Sequence, residues 1–542
     1  MTPAALAGMG LDHEVPTEAD YVIVGAGPAG CVLAARLSED PRCRVVLLEA
    51  GATTGAEPAA RTPWLSFSLM AGPTAWPDLT APQPALGGRQ VYLAQGRGLG
   101  GGSSMNMMAW FHGHPADYDT WAATGAAGWS WDDVAPTFRA LESGEFGPDR
   151  WHGTGGPMTV TRARDVSPLP LTFLAAGKET GWPITDDFNG ATREGVGLFA
   201  ANVRDGARHS AVDAYLAPAA HRPNLAVRTG VHVTAIDLDG TRATGVRHTR
   251  EAGGTTTAGE THATRGVILA AGALRSPQLL MLSGIGPAAH LAEHAIGVRH
   301  DLPGVGANLQ DHPMLSPSWP VTDGSPLRNA ISAQDERAYA LARRGPLASV
   351  SQAGAMLSTE PDLPGPDIQV TLTLLGLDAQ LRVLDQPVVT AAISLLAPRS
   401  RGVLRLVSAD PRVAPIADPA YLCDPDDRAR MRAGLRLVKQ LFDTPSLKAA
   451  TGAPLQPSRW DDDSLDSWIA ATAGTEWHPA GTCRMGTGPA TVVNPATMAV
   501  HGLKALYVAD SSTMPTVPRG NTQAPVIMLA ERAAKRIKVR NS

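Results

Sequence analysis

The chain has 542 residues, 44% of them hydrophobic and 18% charged, with a formal net charge of -5. That length exceeds what one hydrophobic core sustains and leaves room to bury a large cofactor, and the apolar content excludes intrinsic disorder. The mild negative charge excludes an extended basic footprint for nucleic acid, since the one basic run, "ERAAKRIKVRNS", lies at the C-terminal end, where cations suit a helix dipole.

The first 20 residues lack a basic segment followed by an apolar run, and no apolar stretch approaches the ~20 residues that span a bilayer, so neither secretion nor a membrane partner is expected. Cys31, Cys43, Cys423 and Cys483 form no CxxC pair, which argues against a zinc cage or a dithiol redox pair and points to a reducing, cytoplasmic location. His112 and His114 stand two apart without a clear acidic or thiol partner, so no metal is expected there.

In chain order, "ADYVIVGAGPAGCVLAARLSEDPRCRVVLLEAG" predicts a buried strand, a glycine turn, a helix and a second buried strand ending at Glu49. Gly25, Gly27 and Gly30 form GxGxxG, and Glu49 follows nineteen positions after Gly30. The glycines allow a tight turn, close approach of a pyrophosphate and close helix packing, while the carboxylate can accept from a ribose hydroxyl. The unit therefore predicts dinucleotide binding on a parallel sheet. "GRGLGGGSSMNMM", residues 96 to 108, is glycine-dense yet runs into apolar residues, which fits a backbone laid against a flat ring better than a flexible linker.

Farther on, "VTAIDLDGTRATGVRHTR" predicts a hairpin turning at Asp239-Gly240, and "EAGGTTTAGETHAT" another turn. A strand is expected at 267 to 271, then Gly272, then a helix from about Ser276; "LKALYVADSS" predicts one more buried strand, ending at Asp510. The fold class is thus α/β, a Rossmann-like cofactor-binding domain with a discontinuous α+β substrate-binding domain. Residues 15–160, 210–320 and 465–542 are assigned to the first, 161–209 and 321–464 to the second, where "DIQVTLTLL" predicts a strand and "DDRARMRAGLRLVKQLF" a helix. "TEWHPAGTCRMG", residues 475 to 486, holds His478 directly before Pro479, where the backbone is restricted.

Six motifs carry a resemblance: "VIVGAGPAG", "GRGLGGGSSMN", "GALRSPQLLMLSGIGP", "LPGVGANLQDH", "HPAGTCRMG" and "VADSSTMPTVPRGNTQAPVIMLAERAA". With them in order along nearly the whole chain, it resembles the glucose-methanol-choline (GMC) family of FAD-dependent oxidoreductases. The resemblance implies FAD, with Gly25, Gly27, Gly30 and Glu49 on its ADP half and Val233 at the adenine. It further implies a cofactor site drawing on Trp76, Arg97, Ser104, Asn106, Met107, Met108, Asp510, Ser511 and Thr522. Met105 stands where choline oxidases carry the histidine that bonds the flavin, so non-covalent FAD is expected. His478 is implied as the base that takes the alcohol proton, Asn521 as its partner, and Trp477 as a wall of the substrate pocket. Cys483 reads as a small buried hydrophobe.

With "WPDLT" and the "GGGSSMNMM" loop, the look is closest to bacterial enzymes acting on primary alcohols of the hydroxymethylfurfural, aryl-alcohol or choline type. The expected reaction is oxidation of a primary alcohol to an aldehyde, with oxygen or another electron acceptor as second partner. The alternative is a hydroxynitrile lyase of the same family, which keeps FAD without net redox. Substrate, acceptor and oligomeric state are left open by the sequence.

Overall fold

The computed structural model describes residues 10–52, 57–252, 255–322, 325, 327, 331–349, 352–376, 384 and 386–541. The first nine residues of the N-terminal segment read above lie outside them. No helix among the described residues is long and apolar enough to cross a membrane.

The opening unit forms as its pattern dictates. Strand β1 (Glu18–Val24) and strand β2 (Val45–Leu48) pair in parallel around helix α1 (Pro28–Leu37), whose first turn accepts Pro28 because that position needs no hydrogen-bonded N–H. Gly25 lies at φ +97°, and a Cβ on Gly30 would stand 1.9 Å from the Gly25 carbonyl oxygen. Only hydrogen fits there, so α1 can lie directly on the turn.

Strand β3 (Leu225–Arg228) pairs with β2, and the antiparallel run β4 (Val231–Asp239), β5 (Arg242–Ala252) and β6 (Thr255–Leu269) joins through β6 to β1. The expected turn over "EAGGTTTAGETHAT" is instead mostly strand: residues 255–264 continue β6, and 253–254 lie outside the described residues. Residues 255–260 are exposed on both faces, so no apolar alternation marks that end of β6.

Helix α2 (Gly272–Leu282) begins four residues before the expected Ser276, with Pro277 inside it. Pro277 has no N–H for the carbonyl of Ala273, and the Thr482 hydroxyl donates to that oxygen instead at 2.6 Å. Pro277 thus ties the helix to the loop carrying His478. Strand β7 (Leu506–Val508) pairs with β6, and helix α3 (Gln523–Asn541) packs on α1, where Arg36 meets Glu531 at 2.8 Å.

A second, eight-stranded sheet runs in the order 474–475, 313–315, 388–395, 368–373, 353–357, 195–198 and 184–185, with 318–320 also on 388–395. Its central strand Ile368–Thr373 is buried on both faces, and the helix Pro425–Phe442 lays Met431, Leu435 and Val438 against the sheet. The expected boundaries at 320 and 465 cut this sheet, because 313–320 and 474–475 pair within it. These strands are two or three residues long and interrupted by Pro313, Pro317 and Pro320, too short to show a period.

A buried ionic chain fixes the segment after residue 108. Glu142 accepts from Trp110 Nε1 and pairs with His112 Nε2, both at 2.6 Å, and meets His152 Nδ1 at 3.0 Å; His152 Nε2 meets Asp187 at 2.8 Å. Burial opposes charge here, yet Asp187 and Glu142 push His152 up to about 9, and the two histidines hold Glu142 down at about 2 against its own burial. Removing one partner leaves an uncompensated buried charge, so His152→Ala is expected to cost about 3–5 kcal/mol. The raised imidazolium contributes fully below its unfolded value of about 6.5, and the contribution disappears as pH rises through about 9. Denaturant unfolding should therefore show wild type losing stability across that window, with His152→Ala flatter. Parallel profiles would contradict a charged His152.

Candidate active site

One cavity of about 290 Å³ runs between the two sheets' ends. At one end its wall is the β1–α1 turn with Gly25 and Gly27, Glu49 after β2, and Val231 to Val233 at the start of β4. Gly27 caps α1 without a side-chain bond, so the helix amides stay available to an anion. The Glu49 carboxylate accepts from the backbone N–H of Ala26 (2.8 Å), Gly51 (2.8 Å) and Gly98 (3.0 Å). A carboxylate has about four lone-pair positions, so one acceptor site remains for a ribose hydroxyl. Across the sheet, Asp510 accepts from Gly272 N–H and the Ser276 and Ser512 hydroxyls, which ties the end of β7 to α2.

The loop 101–108 forms the middle of the wall. Met108 sits at φ +61°, a conformation costly for a side-chain-bearing residue, and its N–H donates to Asn106 Oδ1 at 3.1 Å. The buried Arg208 donates to the same oxygen at 2.7 Å and to Ser66 Oγ at 2.7 Å; burial pushes its guanidinium down to about 9. Asn106 Nδ2 donates to Gln523 at the first turn of α3, leaving Gln523 Nε2 buried on the wall without a hydrogen-bond partner among the described residues.

The far end holds His478, delivered by the second sheet. Strands 313–315 and 474–475 pair, and the chain entering the first and leaving the second brings Asp311, His312, Glu476 and His478 together. Asp311 is the hub. It accepts from the backbone N–H of His312 and His478, each at 2.8 Å, from Thr475 Oγ1 at 2.5 Å, and from the Tyr421 hydroxyl. Burial pushes Asp311 up to about 6 against these four donors. His478 Nδ1 lies 3.0 Å from His312 Nδ1, and its Nε2 lies 3.4 Å from Asn521 Nδ2. Gln369 Nε2 donates to Asn521 Oδ1 at 3.1 Å, which turns the amide N–H toward His478. Burial pushes His478 down to about 3 and His312 well below the ordinary imidazole range, so both rings are neutral. A donor on Nε2 makes that nitrogen an acceptor, so the ring proton sits on Nδ1 and is donated to His312.

GMC oxidoreductase family models match residues 19–314 and 398–530. The chain belongs to the GMC oxidoreductase family. GMC oxidoreductases use FAD. The chain is 39% identical over 532 residues to an alcohol dehydrogenase [acceptor] of Pseudomonas putida, covering 95% of each chain, and 37% identical over 530 residues to an oxygen-dependent choline dehydrogenase of Brucella ovis, covering 96% and 95%. Pyridoxine 4-oxidase from Mesorbium loti superposes with a TM-score of 0.87 at 33% identity, covering 95% of this chain and 98% of that one.

In this GMC oxidoreductase the cavity brings together most of the residues named from sequence. Gly25, Gly27, Glu49, Trp76, Asn106, Met107, Met108, Val233, Trp477, His478, Asp510, Ser511, Asn521 and Thr522 all line it. Three stand behind the wall. Gly30 packs α1, Arg97 stacks 4.6 Å from the Trp76 ring, and the Ser104 hydroxyl donates to the Leu99 carbonyl. Trp477, at φ +59°, donates through Nε1 to the Tyr92 carbonyl. Thr522 caps α3, its carbonyl accepting from Val526 N–H at 3.0 Å, so Asn521 stands just outside the helix. Cys483 is fully buried, and burial raises its thiol well above the ordinary range. Asp311, His312, Glu476 and Arg208 went unassigned. The first two close the quoted "LPGVGANLQDH", and Glu476 stands two before His478; only Arg208 has no motif around it.

Proposed function

We propose that the protein oxidises an uncharged or aromatic primary alcohol to the aldehyde, with FAD bound non-covalently and oxygen or another acceptor completing the cycle. The observation that carries this reading is His478 Nε2 at the cavity wall, 3.4 Å from Asn521 Nδ2, in the same cavity that Asn106 and Met108 line. FAD supplies the hydride acceptor. The chain's own groups do the rest. The free acceptor position of Glu49, the α1 amides and the unpartnered Gln523 Nε2 suit the ribose, pyrophosphate and ring heteroatoms of FAD. α3 directs its N-terminal dipole to the same wall, which favours negative charge there.

Asn521 orients the alcohol oxygen and His478 Nε2 takes its proton as hydride leaves the carbon. The 3.4 Å contact between Asn521 and His478 is long, so a hydroxyl can enter between them. Phe67, Met70, Met107 and Trp477 give the cavity an apolar lining suited to an aromatic alcohol. Met105 in the loop offers no nucleophile to a flavin, and all four cysteines are free, which suits non-covalent FAD and a cytoplasmic setting.

Anaerobic mixing with benzylic, furanic and choline-like alcohols tests the reading. Bleaching of the yellow flavin with formation of aldehyde is expected, fastest with the benzylic and furanic alcohols, and acid precipitation of the same preparation should leave FAD in the supernatant. Cleavage of a cyanohydrin without any bleaching would assign a lyase instead, and flavin pelleting with the protein would establish a covalent link.

A further inference from the structure

On the Nδ1 edge of His478 stands a carboxyl group, that of Glu476, which the reaction above does not use. Glu476 lines the same cavity at 7% exposure, and its backbone N–H donates to the His312 carbonyl at 3.0 Å. Its Oε2 lies 4.0 Å from His478 Nδ1 and is buried without a hydrogen-bond partner among the described residues. An unpartnered buried oxygen is costly, and one aimed at the edge of a base calls for a reason.

The base itself gives one. A neutral imidazole buried as His478 is holds a proton poorly, yet alcohol oxidation requires it to keep the hydroxyl proton while hydride departs. Asp311 cannot respond, because its four acceptor positions are already taken by His312, His478, Thr475 and Tyr421. We infer that Glu476 is a positioning residue for this reaction, its carboxylate compensating the charge that His478 acquires when Nε2 takes the alcohol proton. The inference rests on His478 being the base.

The balance is simple. The O–H bond breaks, the Nε2–H bond forms, and the oxygen's electron pair becomes the second bond of the carbonyl as hydride leaves. His478 passes from neutral to positive, and Glu476 stays negative without receiving a proton. Opposite charges 4.0 Å apart attract far more strongly in a dry site than in water. His312, 3.0 Å from Nδ1, keeps the ring from turning.

The groups facing Glu476 are His478 on its own segment, Asp311 and His312 on the neighbouring one, Ser394 from the adjacent strand and Asn521 before α3; Tyr421 acts on Asp311, and Arg519 on His312. Burial and then Asp311 push Glu476 up to about 7, against Ser394 and Asn521. Only the deprotonated form compensates His478, so flavin reduction should rise with pH through about 7 and fall away below it.

The test is the limiting rate of anaerobic flavin reduction in the holoenzyme, with benzyl alcohol, across a pH series spanning neutrality. Glu476→Gln keeps the shape and cannot carry the charge: it should lose the rise near neutrality and run at least ~10-fold slower above it. Glu476→Asp should restore the rise, with its midpoint moved, which a merely structural role would not do. A wild-type pH profile in Glu476→Gln overturns the inference. So does an unchanged limiting rate with a higher KM for choline-like alcohols only, which would make Glu476 a substrate contact. His478→Ala separates the two layers. If it is slow while Glu476→Gln is normal, only Glu476 is misassigned; if it is itself near normal, the base reading falls.

Discussion

His478→Ala is expected to purify yellow and to reduce its flavin with alcohol ~100- to 10,000-fold more slowly than wild type, the usual worth of a positioned general base. The side chain meets His312, Asn521 and the edge of Glu476, none of which belongs to the Gly25–Glu49–Val233 end of the cavity. FAD content should therefore hold while reduction fails. Asn521→Ala should be slow to a smaller degree, because it removes an orienting donor and leaves the proton acceptor in place. Anaerobic stopped-flow measurement of both variants checks the order, and a near-normal rate in His478→Ala would remove that residue from the reaction.

The second large effect concerns the opposite end. Glu49→Ala is expected to yield colourless protein with a lowered melting temperature. The carboxylate gathers the N–H groups of Ala26, Gly51 and Gly98, which belong to three separate turns, and holds them at the cavity wall. Leaving each buried donor unpaired costs about 1–3 kcal/mol. The loss falls on the turn that must meet the pyrophosphate, so cofactor occupancy and stability should decline together. The flavin-to-protein absorbance ratio and a thermal melt read both, and a fully yellow variant with unchanged melting temperature would contradict this role for Glu49.

What sequence reading reached, and what it missed, follow from how local each signal is. The β1–α1–β2 unit was legible because its glycines, its helix and its acid lie within about thirty residues and answer to one local geometry. Glu49 was legible as the acid that follows β2, but its three amide donors come from residues 26, 51 and 98, and no short window displays that. His478 stood out through Pro479 and the family motif. Its setting did not, because Asp311 and His312 reach it through pairing of two strands some 160 residues apart. Arg208 was invisible for a related reason: one arginine in a polar stretch says nothing until it is found buried against Asn106 and Ser66. α2 starts four residues before the expected Ser276 and runs through Pro277, which local sequence disfavours, because the Thr482 hydroxyl that replaces the missing hydrogen bond lies 205 residues away.

Alcohol oxidation at this site requires hydride to leave the alcohol carbon while His478 accepts the hydroxyl proton. The most direct measurement is anaerobic stopped-flow reduction of the holoenzyme by benzyl alcohol and by the same alcohol dideuterated at the carbinol carbon. The account predicts full loss of the oxidised-flavin absorbance with both, and a clearly slower loss with the deuterated alcohol. An unbleached flavin in the presence of saturating alcohol, or bleaching at a rate indifferent to deuterium even when mixing and binding are not limiting, would contradict it.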